Sequence, residues 1–143
     1  MTIKKSGSAE WKGSLKQGKG VVSTESGSLK DNAYGFNTRF EGQPGTNPEE
    51  LVAAAHASCF SMALSMTLGE EGIEPESLKT DATVIMEQDD SGFTITAVEL
   101  KTVAKIPGAD QATFDRAANK AKEGCPISKL LNAKISLDAK LES

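Results

Sequence analysis

A chain of 143 residues, 38% hydrophobic and 25% charged, has the size and composition of one soluble globular domain, 1–143, and not of a disordered segment. Its net charge of −4, with no run of like charges, argues against nucleic acid or an anionic membrane surface as partner, since both demand clustered Lys and Arg. The start, MTIKKSGSAEWKG, has lysines without an apolar stretch behind them, so it does not read as a signal peptide, and the cytoplasm is the expected location.

In chain order, residues 8–25 read as a β-hairpin. Trp11, Leu15, Val21 and Val22 are its apolar anchors, and Gln17-Gly18-Lys19-Gly20 is its turn. Residues 26–33 are loop-like. Tyr34, Phe36 and Phe40, with Arg39 beside them, suggest a third short strand over Tyr34 to Phe40. Gly42 to Asn47 is a Gly/Pro loop. A long helix follows: Asn47 caps it, Pro48 suits its first position, and Glu49 and Glu50 complement its dipole.

That helix runs to about Gly69 and is apolar nearly all round, so a second subunit is expected to cover part of it. His56, Ser58, Ser61, Ser65 and Thr67 interrupt its apolar run, which favours a buried helix over a membrane span. Residues 80–88 and 92–104 form a second hairpin, turning at Asp89-Asp90-Ser91-Gly92. An amphipathic helix spans 109–123, with Gly124 as its stop, and Cys125-Pro126-Ile127-Ser128 opens a short helix. Strict alternation of Ile135, Leu137, Ala139 and Leu141 marks a final strand. Strands and helices are segregated, so the expected class is α+β.

The chemistry rests on few residues. The two cysteines are not expected to form a structural disulfide in a reducing compartment. They are either small core residues or reactive thiols. Cys125, between Gly124 and Pro126, reads as a helix N-cap, where free N–H groups lower a thiol's pKa; the alternative is a simple turn. Cys59 lies mid-helix, where nothing local lowers its pKa and burial raises it. It becomes reactive only if a cation reaches it, and Arg39, one of two arginines, is the candidate. His56 stands one helical turn before Cys59. A Cys–His nucleophilic pair is conceivable, but a packed or hydrogen-bonded imidazole is the preferred reading. Cys59, Cys125 and His56 fall short of a zinc ligand set, so no metal is expected.

Three motifs, Gly45-Thr46-Asn47-Pro48-Glu49-Glu50-Leu51, Ala55-His56-Ala57-Ser58-Cys59-Phe60 and Cys125-Pro126-Ile127-Ser128, resemble those of the OsmC/Ohr family of hydroperoxide reductases. The resemblance covers nearly the whole chain. It implies two antiparallel sheets wrapped around long central helices in an intertwined homodimer. It implies a thiol peroxidase acting on organic hydroperoxides, and more weakly on hydrogen peroxide, in oxidative and osmotic stress. Cys59 is then the peroxidatic and Cys125 the resolving cysteine, with Arg39 and Glu49 supporting the thiolate. No bound cofactor is implied; a dithiol reductant, in this family associated with dihydrolipoyl proteins, resets the disulfide.

Ten residues of helix rise about 15 Å, so Glu49 does not touch Cys59 of its own chain. It either anchors Arg39 or reaches the partner's active site, the second being preferred. Phe36, Phe40, Phe60, Met62 and Met66 are candidates for an apolar substrate pocket, with plain core packing as the alternative. The competing function is a small apolar-ligand-binding stress protein with incidental cysteines.

Overall fold

The computed structural model describes residues 1–143. The chain divides into two compact units, Met1–Leu51 and Val52–Ser143.

In the first unit, β1 (Gly7–Lys12), β2 (Lys19–Thr24) and β3 (Asn32–Tyr34) form an antiparallel sheet in that order. The hairpin expected over 8–25 is present, although its turn precedes the expected one, because Lys19 and Gly20 already belong to β2. Gly13, at φ +97°, takes the left-handed conformation that opens the turn. Trp11, Gly20 and Tyr34 lie side by side across the three strands. The two rings close over the glycine, with centroids 5.6 Å apart.

Tyr34 to Phe40 is not a strand. The strand ends at Tyr34, and Phe36–Phe40 is a helical turn, α1. The spacing of Phe36 and Phe40 suits both structures. In the helical turn their rings meet at 5.0 Å. Thr38 locks the turn: its Oγ1 accepts from the Gly35 N–H at 3.0 Å and donates to the Thr46 carbonyl at 2.9 Å.

α2 (Pro48–Glu70) starts as expected. Asn47 Oδ1 accepts from the Glu50 N–H at 2.8 Å, and Asn47 Nδ2 donates to the Glu50 carboxylate at 2.8 Å. His56, Phe60, Leu64, Thr67 and Leu68 form its buried face. Met62 and Met66, on other faces, are 78% and 62% exposed.

The second unit holds β4 (Ser77–Asp89), β5 (Gly92–Lys105) and β6 (Lys134–Glu142), in sheet order β4-β5-β6. The β4–β5 hairpin is antiparallel, but β6 runs parallel to β5. This sheet is therefore mixed, a correction to the expectation of two antiparallel sheets. The reason is topological. A parallel neighbour needs a long crossover, and α3 (Gln111–Gly124) and α4 (Pro126–Leu130) supply it.

The core joins Phe60, Leu64 and Leu68 of α2 to Val98, Leu100 and Ala104 of β5 and to Phe114, Ala117, Ala118 and Ala121 of α3. Each set has the period of its own element, four on α2, two on β5, and three or four on α3. Phe60, fully buried here, is a core residue and not a pocket wall.

Candidate active site

Two pairs of side chains stand out, one in each unit. In the second, α2 presents Cys59 and the start of α4 presents Cys125. Both cysteines are free. Cys125 Sγ and Cys59 Sγ lie 2.8 Å apart, although 66 residues separate them in sequence. Cys125 is fully buried and Cys59 partly so.

The expected N-cap is real, but its benefit goes to the other sulfur. Cys125 occupies the N-cap of α4 with Pro126 after it, yet its side chain makes no capping bond. The Ile127 N–H, freed at the helix start, acts on the Cys59 thiol instead and favours its ionised form. Sequence reasoning missed Ile127 because the pairing depends on how α4 folds back on α2. Burial raises the Cys59 pKa above its ordinary value, the contact with Cys125 adds to the rise, and the Ile127 N–H opposes it.

Next to the thiols is a second polar pair. His56 Nε2 and Ser128 Oγ lie 2.8 Å apart. His56 is 0% exposed, and burial lowers its pKa, so it is neutral at pH 7. Its role as a packed, hydrogen-bonded imidazole agrees with the reading from sequence.

In the first unit, Arg39 on α1 meets Glu49 in the first turn of α2. Arg39 Nε donates to both carboxylate oxygens, at 3.0 and 3.1 Å, and Nη2 donates to Oε1 at 2.7 Å. This forked contact fixes the guanidinium plane more firmly than a point charge would. Glu49 thus anchors Arg39 of its own chain. The guanidinium also lies 5.1 Å from the Phe40 ring centroid.

Arg39 borders a cleft of about 250 Å³ lined by Trp11, Leu15, Tyr34, Phe36 and Phe40. Phe36 and Phe40 are therefore pocket residues as anticipated; Met62 and Met66 do not line it. No group of three or more His, Cys, Asp and Glu side chains is arranged to hold a metal.

A family model described as OsmC-like protein matches residues 40–140. The chain is 57% identical over 143 residues to Peroxiredoxin OsmC of Escherichia coli strain K12, covering all of both chains. It is 33% identical over 124 residues to the organic hydroperoxide resistance protein OhrB of Bacillus subtilis strain 168, covering 86% of this chain and 88% of the relative. The crystal structure of Bacillus subtilis OhrB superposes with a TM-score of 0.67 at 28% identity, over 96% of this chain and 98% of that one. Motifs, fold and relatives agree, and the chain belongs to the OsmC-like protein family.

Proposed function

We propose that this chain is a cysteine-based peroxidase that reduces organic hydroperoxides to alcohols as part of stress defence. The observation that carries the reading is the pair of free thiols, 2.8 Å apart, contributed by helices far apart in sequence. Relatives named for peroxiredoxin activity and for organic hydroperoxide resistance support it.

The Cys59 thiolate attacks one peroxide oxygen, the O–O bond breaks, and an alkoxide leaves and takes up a proton. Cys59 is now a sulfenic acid. The Cys125 sulfur then attacks the Cys59 sulfur, the S–O bond breaks, and the departing oxygen takes the Cys125 proton and leaves as water. An external dithiol reduces the disulfide by exchange and is itself oxidised. Arg39, held by Glu49, binds the peroxide and stabilises the developing alkoxide. The aromatic cleft beside Arg39 accepts the organic part of the substrate, which favours alkyl over hydrogen peroxide. No bound cofactor takes part in these steps.

The working form is a homodimer in the cytoplasm. Met62 and Met66, large apolar side chains left exposed on α2, support the dimer. The need to keep both thiols reduced between turnovers supports the compartment. Titration of free thiols before and after one equivalent of cumene hydroperoxide tests the reading. Loss of two thiols per chain is expected, with Cys59→Ser inert and Cys125→Ser leaving a trappable sulfenate on Cys59. No thiol loss would favour a ligand-binding role.

A further inference from the structure

The thiol contact is one rung of a two-rung connection between α2 and α4. α2 carries His56 and Cys59 one turn apart on the same side. α4 carries Cys125 at its N-cap and Ser128 three residues later. The two spacings match: Cys125 Sγ meets Cys59 Sγ at 2.8 Å, and Ser128 Oγ meets His56 Nε2 at 2.8 Å.

The second rung is out of water, with His56 0% and Ser128 9% exposed. Breaking it from one side strands a buried polar group on the other. His56 Nδ1 is buried without a partner. A bare lone pair is less costly to leave unmatched there than an N–H. The proton therefore sits on Nε2 and is donated to Ser128 Oγ. All of the ring's hydrogen bonding is committed to α4. At five residues, α4 is too short to hold its place by helix formation alone.

Resting on the peroxidase reading above, we infer that His56, acting through Ser128, is a positioning residue for disulfide closure. The rung keeps α4 in register with α2, so that Cys125 stays against Cys59 after the sulfenic acid forms. Closure makes the Cys59–Cys125 bond, breaks the Cys59 S–O bond and releases water. His56 exchanges no atom in that step; it raises the effective concentration of the Cys125 sulfur. At a pH where Cys59 is fully ionised, so that the Ile127 N–H no longer sets the supply of thiolate, oxidation of Cys59 by peroxide does not depend on the rung.

The test follows single turnover of the full-length protein with one equivalent of cumene hydroperoxide. Sulfenate is trapped with dimedone and closure is read as loss of the second thiol. At a pH where Cys59 is fully ionised, closure in S128A and H56L slows by about tenfold or more while sulfenate forms at the native rate. S128T and H56Q retain a hydroxyl or an amide N–H at the bond and close within about threefold of native. A tenfold loss in the closing equilibrium also raises the Cys59–Cys125 potential by about 30 mV. Should H56L fail to fold, the S128A and S128T pair decides alone. Closure at the native rate in S128A, or closure as slow in S128T as in S128A, overturns the inference while leaving the peroxidase reading intact. If the native protein forms no sulfenate at all, the peroxidase reading falls and the inference with it.

Discussion

Burial acts in opposite directions on the two titratable groups nearest the chemistry: it raises Cys59 and lowers His56. His56 is the only histidine. Its folded-state pKa lies below the ordinary 6.5, so in the window just under 6.5 the unfolded chain binds a proton that the native chain refuses. Stability therefore rises with pH through that window. Denaturant unfolding between pH 5 and pH 7.5 should show the rise in the native protein, and His56→Gln should flatten it. The raised Cys59 pKa makes thiolate scarce at neutral pH, which brings Arg39 into question. From an ordinary thiol pKa of about 8.5, a thousandfold gain in acidity yields about 30-fold more thiolate at pH 7 and costs roughly 15- to 30-fold in nucleophilicity. From that starting point the gain nearly cancels itself, so the role proposed for Arg39 is on the transition state, through its charge on the leaving oxygen. Arg39→Met should remain at least about tenfold slower than native at a pH where Cys59 is fully ionised. Recovery of the native rate at high pH in stopped-flow peroxide reduction would reduce Arg39 to an acidifying group.

Gly20 shows how a strand position serves the cleft. A Cβ there would stand 2.6 Å from both the Trp11 and the Tyr34 ring. Gly20→Ala should therefore separate the rings and cost about 1–3 kcal/mol, as overpacking does. Trp11 is the only tryptophan, so its fluorescence reports the separation, and denaturant midpoints report the loss. Because both rings border the cleft beside Arg39, turnover of bulky hydroperoxides should fall as well. The elements with strong local signals were legible in the sequence: α2 from Asn47-Pro48-Glu49-Glu50, α3 from its apolar period, and β6 from strict alternation. The segment Tyr34 to Phe40 was not. An i, i+4 pair of phenylalanines fits either period, and Thr38 bonding to Thr46 decides the matter from outside the segment. The parallel pairing of β6 was hidden for the same reason, since alternation carries no direction. At the site, both cysteines and Glu49 stood in motifs and Arg39 stood out as one of two arginines, whereas the contacts made by Ile127 and Ser128, although both lie in a motif, were not legible. Their importance lies in the fold of α4 against α2, which no local pattern encodes.

For the whole molecule, the side chains of α2 left uncovered within one chain matter most. Ala55, Ser58, Met62 and Met66 recur about every turn of the helix, and the two methionines are largely exposed. Small and flexible apolar residues at that spacing suit close approach of a second copy of the same helix. In such a homodimer the Arg39–Glu49 pair, which forms within one chain, serves as a single module. Its proposed role is to complete the Cys59 site, either of its own subunit or of the partner. Mixing two inactive variants separates the cases. Arg39→Met chains retain Cys59, and Cys59→Ser chains retain the Arg39–Glu49 module. A heterodimer of the two holds one complete site only if the module acts across the interface. With random exchange, half of the dimers are mixed and each has one working site of two, so activity should recover to about a quarter of native. That recovery is the expected outcome, measured as peroxide consumption after subunit exchange through mild denaturant. Heterodimers that form, as shown by native mass spectrometry, yet stay inactive would place the module and the thiol on the same chain. Gel filtration of the native protein at the mass of one chain would remove the dimer altogether.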